Sequence, residues 1–82
     1  MEIKHVIGHC LYELRNNEGF SRNEFASLAG ISLNAYSSIE NGQSLIKLDT
    51  LDHLLTTLSI PMSEFFKQVD NKKANYKKTS QE

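Results

Sequence analysis

The residues with the most chemistry to offer stand in two places along this chain. His5 and His9 are four apart, with Cys10 beside the second. On a helix two such imidazoles share a face and can chelate a soft metal. His53 is the one remaining histidine, and no C-x-x-C or H-E-x-x-H accompanies the pair. The same residues read as surface histidines and a small side chain filling a helix face, so no metal site is expected. Ser, His and Asp are present, but no spacing brings a nucleophile to a base, and a small bundle leaves little room for a pocket. No catalytic residue, cofactor or small-molecule ligand is expected, and the chain does not read as an enzyme. The second place is Arg22 with Asn34, Ser37 and Ser38. These side chains donate and accept hydrogen bonds, and what they can bind depends on the elements that hold them.

The length of 82 residues allows one core and not two. With 39% hydrophobic and 23% charged residues, the balance is that of an ordinary soluble globular domain. No apolar run is long enough to span a membrane, and the first ten residues lack the pattern of a secretory signal. The single cysteine excludes an intrachain disulfide and fits a reducing compartment, so a cytoplasmic protein with no membrane partner is expected.

The apolar spacing predicts five short helices and no strand. Ile3, Ile7, Leu11 and Leu14 recur at helical spacing, and the stretch Arg15-Asn16-Asn17-Glu18-Gly19 stops the first helix. Ser21 with Glu24 three residues on makes a capping box, and Phe20 before it can staple onto Phe25. The second helix then runs from Arg22 to about Ala29, and Gly30 ends it. Ser32 caps a third helix reaching roughly Asn41, with Tyr36 and Ile39 on one face, and Asn41-Gly42 is a local stop. The fourth runs from about Lys47 to Thr57, its apolar stripe read as Leu48, Leu51, Leu55 and Leu58. Ser59-Ile60-Pro61 breaks it. A short fifth helix carries Met62, Phe65, Phe66 and Val69. Two consecutive phenylalanines cannot face the same way, so one packs inward and the other sits near an edge. After Asp70 only Tyr76 is large and apolar, and residues 71–82 read as unstructured.

Only Gly30-Ile31-Ser32 separates the second helix from the third. So short a turn forces a sharp crossing, the helix-turn-helix geometry. Ala26 and Gly30 are small where the two helices approach. The outer face of the third helix then carries Leu33, Asn34, Ser37 and Ser38, with Ala35 near its edge. A helix fits the major groove of B-DNA, where Asn and Ser hydrogen-bond base edges and Leu33 can touch a thymine methyl. Arg22 and the amides that open the second helix would face a phosphate. The plain alternative for each of these residues is a solvated helix surface.

From Ile7 to Phe66 the chain resembles the helix-turn-helix of phage Cro and repressor proteins, which many small bacterial regulators share. The resemblance rests on IGHCLYELR, GFSRNEFASLAGIS, YSSIENG and LDTLDHLLTTLSI. Most specific is the combination of Arg15, Ser21, Ala26, Gly30, Ile39-Glu40-Asn41-Gly42 and Leu51. It implies an all-α, lambda-repressor-like five-helix bundle with a mostly buried Arg15–Glu40 ion pair. It also implies base contacts from Leu33, Asn34, Ser37 and Ser38, and backbone contacts from Ser21, Arg22, Asn41 and Gly42. Members commonly work as dimers on near-palindromic operators. A seam at the fourth and fifth helices is expected here, through Leu55, Leu58, Met62, Phe65 and Phe66. The single-domain format is similar to the controller proteins of restriction-modification systems and argues against a long sensor-type repressor. Arg22 stands where the family commonly has Gln, and Ile46 where it has Pro.

Charge keeps a second reading open. Residues 1–66 carry four basic and eight acidic side chains, net −4, while residues 67–82 are net +3. The domain is expected over residues 1–69 and a basic tail over 70–82. The lysines from Lys72 to Lys78 read as a solvated tail or as a nonspecific DNA contact. An acidic body with a serine-rich reading face also fits a protein-interaction module of the antitoxin or anti-repressor type on the same fold.

Overall fold

Caps and stops set the element order. The computed structural model describes residues 2–80, with side chains through residue 75. Among these residues are five helices: α1 (Ile3–Glu18), α2 (Arg22–Ala29), α3 (Leu33–Glu40), α4 (Leu48–Thr57) and α5 (Met62–Ser80). The capping box is formed in full. The Glu24 amide donates to Ser21 Oγ at 3.1 Å, and the Ser21 amide donates to Glu24 Oε1 at 2.8 Å. Phe20 lies against Phe25 with ring centroids 5.6 Å apart, which fixes the entry into α2. Ser32 Oγ accepts the Ala35 amide at 3.1 Å and opens α3.

α1 packs on α3 and α5, and α2 packs on α3 and α4. Phe25, Tyr36, Leu11, Leu51, Leu54, Leu55 and Val6 are the largest fully buried side chains. They enclose one core, and α3 lends it only Tyr36 and Ile39, leaving its opposite face free.

Two glycines act in different ways. At Gly8, a Cβ would stand 2.6 Å from the Ile39 carbonyl oxygen and 2.8 Å from that of Glu40. This position is the close crossing of α1 over the end of α3, and the sequence reading passed over it. Gly30 is the reverse: a Cβ there meets nothing within 4 Å, but the backbone holds φ +76°. It serves the left-handed turn, and the close approach expected of it falls to Ala26, which is buried.

Three expectations need correction. Leu48 is 65% exposed, whereas Leu54 is buried beside Leu51 and Leu55. Both sets satisfy a helical period, and packing against α2 decides between them. The fifth helix does not end near Asp70 but runs to Ser80. No Gly or Pro follows Pro61 to stop it. Val69 is buried, and Lys72 Nζ reaches Glu13 Oε1 at 2.8 Å, so the stretch beyond Asp70 begins tied to α1. The side chains of Lys77 and Lys78, and residues 81–82, lie outside the described residues. Finally, Leu55 and Phe65 are 1% and 4% exposed. Both belong to the core and cannot supply side chains to a seam between copies. Phe66 is the half-buried one of the phenylalanine pair.

Between α4 and α5, Ser59 adopts φ 58°, the one non-glycine with positive φ among the described residues. The turn closes with the Ile60 amide donating to the Leu55 carbonyl at 2.9 Å. Ser59→Gly relieves a backbone cost of about 1–2 kcal/mol, offset in part by the entropy of an unfolded glycine, and should raise stability slightly. Gly8→Ala should cost about 1–3 kcal/mol, because backbone must move to admit the methyl. Urea denaturation measures both. A neutral Gly8→Ala would contradict the close crossing.

Candidate nucleic-acid interface

The site is organised around one carboxylate. The side chain of Glu40, at the end of α3, is 1% exposed. Arg15 of α1 grips it with both arms, Nε to Oε2 at 3.0 Å and Nη2 to Oε1 at 2.9 Å. Arg22 of α2 donates from Nε to Oε1 at 3.0 Å. The Tyr36 hydroxyl, one turn back on α3, donates to Oε2. Arg15 Nη1 also donates to the Phe20 carbonyl at 2.9 Å, anchoring the segment before α2. Among the described residues no buried side-chain nitrogen or oxygen lacks a partner.

This arrangement has a net charge. Two guanidinium groups share one carboxylate, so the cluster keeps one excess positive charge within an acidic body. Arg22, with its side chain 37% exposed, carries that excess to the surface. Its Nη2 also donates to Asn41 Oδ1 at 2.9 Å, a bond that does not use the Asn41 amide hydrogens. The sequence reading took Arg22 as a phosphate contact alone and missed its bond to Glu40. Tyr36 and Glu40, four apart on one helix, were the signal available for the other missed bond.

The outward face of α3 lies alongside. Leu33 is 43% exposed, Asn34 and Ala35 are exposed, and Ser37 and Ser38 are half-buried. Ser38 also lends its carbonyl to the Gln43 amide at 2.9 Å, folding the next loop back onto α3. Gln43 and Ser44 are exposed there, next to the expected contact residues, and the sequence reading stopped short of them. The capping box occupies the Ser21 and Glu24 amides, leaving those of Arg22 and Asn23 as the free donors of a helix start. Gly42 is buried, its amide donates to Ile39 at 3.1 Å, and the His5 ring lies against it. Its work is to shape the loop.

Other side chains are placed as follows. His9 Nε2 lies 3.4 Å from Glu13 Oε2, and among the described residues no three His, Cys, Asp or Glu side chains gather as metal ligands. Cys10 is buried, and burial pushes its thiol up, away from reactive thiolate. Leu58, Met62 and Phe66 are half-buried. No helix among the described residues is long and apolar enough to cross a membrane.

Burial by itself would raise the Glu40 carboxyl. The hydrogen bonds from Arg15 and Tyr36 and the charges of Arg15 and Arg22 outweigh it, and the group lies below its ordinary range. A folded value lower than the unfolded one gives stability that is complete above the ordinary glutamate value of about 4.3. That stability is lost as pH falls through the lower folded value. Tyr36→Phe removes one donor and should cost about 1–3 kcal/mol. It should also shrink the acid-dependent loss and end it at higher pH, because the folded carboxyl is then held down less firmly, while the onset, set by the unfolded carboxyl, stays where it is. Urea denaturation of both proteins from about pH 7 to about pH 3 is the check. Identical acid limbs would contradict the bond.

The geometry has relatives among known proteins. Residues 11–65 match the helix-turn-helix family. The chain is 34% identical over 61 residues to the HTH-type transcriptional regulator PuuR of Escherichia coli K12. That match covers 74% of this chain and 33% of PuuR, so the chain spans about a third of that relative's length. It is 33% identical over 70 residues to the control protein C.MunI of Mycoplasma sp, covering 84% of this chain and 95% of that one. The crystal structure of the clp gene regulator ClgR from Corynebacterium glutamicum superposes with a TM-score of 0.91. That superposition covers 99% of this chain and 86% of ClgR at 16% identity, a likeness in fold. The capped α2, the tight turn, the outward face of α3 and these matches identify the chain as a member of the helix-turn-helix family of DNA-binding transcription regulators.

Proposed function

We propose that this protein reads duplex DNA sequence-specifically as a homodimer on a near-palindromic operator. The observation that carries the proposal is the exposed face of α3 set beside the excess positive charge at Arg22 and Asn41. A helix presenting Asn34 can hydrogen-bond an adenine edge in the major groove. Ser37 and Ser38 add single bonds at their half-buried positions, and Leu33 can cover a thymine methyl. Arg22 and the Asn41 amide, with the helix start at Ser21, hold the phosphates on either side. Gly42 contributes by shaping the loop between them. For the dimer, Leu58, Met62 and Phe66 remain as the apolar surface at the α4–α5 corner.

The narrower role is that of a controller protein acting in the cytoplasm, of the kind found in restriction-modification systems. The match to a control protein over nearly its whole length supports this reading. It needs no small-molecule ligand, and regulation would act through protein level and dimerisation.

Selection from a random duplex library tests the proposal. A two-fold motif should be enriched, with half-sites one helical turn apart, roughly 34 Å. Folded protein that enriches nothing at low salt would defeat it and favour the protein-interaction module that the acidic body also fits. On the enriched duplex, Asn34→Ala or Ser37→Ala should leave folding intact and weaken specific binding by about 1–3 kcal/mol. Unchanged selectivity would sink the assignment of the reading face. Arg22→Ala should weaken binding on all sequences alike and reduce the salt slope by about 1. It also takes a donor from Glu40, so stability is measured alongside.

A further inference from the structure

An open cleft of about 400 Å³ lies between α1 and the far end of α3, lined by His5, His9, Tyr12, Arg22, Glu40 and Asn41. Its carboxylate and side-chain amide oxygens are already engaged. Both Glu40 oxygens receive bonds from Arg15, Arg22 and Tyr36, and Asn41 Oδ1 receives Arg22. The lining that remains can donate: the outer hydrogens of Arg22, the Asn41 amide, the Tyr12 hydroxyl and, when protonated, two imidazoles. Such a lining suits a ligand made of acceptors and bearing negative charge. We infer that the cleft is a subsite for a backbone phosphate of duplex DNA, in which His5 and His9 extend the Arg22–Asn41 contact and strengthen it on protonation. The inference rests on the DNA-binding reading above.

The charges around the cleft favour it. With neutral imidazoles the Arg15–Arg22–Glu40 cluster already carries one excess positive charge. The histidines stand one helical turn apart and are exposed. His9 faces Glu13 at 3.4 Å, and Lys72 of α5 holds the other oxygen of that carboxylate. Near His5, Glu2 is paired with Lys4 at 3.6 Å. The His5 ring rests on Gly42, within the loop that follows α3. His53, on α4, is not part of the cleft lining.

Phosphate contact is independent of sequence, so a duplex of arbitrary sequence is the probe. Affinity is read by fluorescence anisotropy at about pH 8 and about pH 6, at matched ionic strength. The wild-type protein should bind roughly tenfold tighter at the lower pH, as charge-assisted bonds add to a phosphate that Arg22 already holds. The double variant His5→Gln, His9→Gln should lose that gain, whereas His53→Gln should retain it. His9→Gln alone, at an exposed position, should lose part of it, which keeps the test valid if His5→Gln disturbs the packing on Gly42. Tightening that survives the double substitution, or wild-type binding that does not tighten, overturns the subsite alone. No binding to any duplex at either pH and low salt overturns the DNA reading as well. Imidazole proton resonances should move on adding duplex; an equal response to inorganic phosphate would reassign the cleft to a free anion and overturn the proposal.

Discussion

A carboxylate taken out of water must be neutralised and fully hydrogen-bonded, and in this protein that requirement at Glu40 ties three helices together. Arg15 comes from α1, Arg22 from α2, and Tyr36 and Glu40 from α3. Apolar packing brings these helices together but does not by itself fix their rotation. The bidentate fork of Arg15 is directional, and it sets how the end of α3 sits against α1. The Gly8 crossing permits the distance this needs. A buried ion pair adds little net stability over a well-packed apolar substitute, but removing one partner alone is costly. Its role here is better stated as orientation: the outward face of α3 points where Glu40 allows.

The same network resolves the conflict between charge and partner. The formal net charge of −1 argues against nucleic acid if the chain is treated as one sum. Charges are not spread evenly, however. Glu40 is among the acidic residues counted, yet it is buried and outnumbered by the two guanidiniums it holds. The acidic tally therefore overstates the negative field near Arg22. Under the proposed DNA reading, weak body charge and a locally positive edge imply few phosphate contacts and a correspondingly shallow dependence on salt.

Much of the fold was legible in local residue chemistry. Ser21 with Glu24, Gly30 and Ser32 each fix a helix end through short-range bonds, and all three ends lie where those residues put them. What was not legible depended on packing between distant segments. Leu48 and Leu54 fit the period of α4 equally well, and only the position of α2 separates them. Gly8 looks like an ordinary helical glycine until the carbonyls of Ile39 and Glu40 are placed over it. Leu55 and Phe65 looked free for a partner chain because the depth of the core could not be read from spacing. The extension of α5 was masked by composition: lysines suggested a solvated tail, although nothing in them stops a helix. At the site, the residues on the outward face of α3 could be named in advance. The second bond of Arg22 could not, because it joins positions 18 apart.

The central claim is that Arg15 and Glu40 act as one unit, and a double-mutant cycle tests it most directly. Arg15→Met, Glu40→Gln and the double variant would be compared by urea denaturation at neutral pH. Glu40→Gln should cost about 3–5 kcal/mol, because it leaves Arg15 without its counter-charge, and Arg15→Met should cost less, because Arg22 and Tyr36 still hold the carboxylate. The double variant should be more stable than the sum of the two losses implies, with a coupling of about 1–3 kcal/mol. Simple additivity would mean that the two side chains stabilise the fold independently, and would contradict the account.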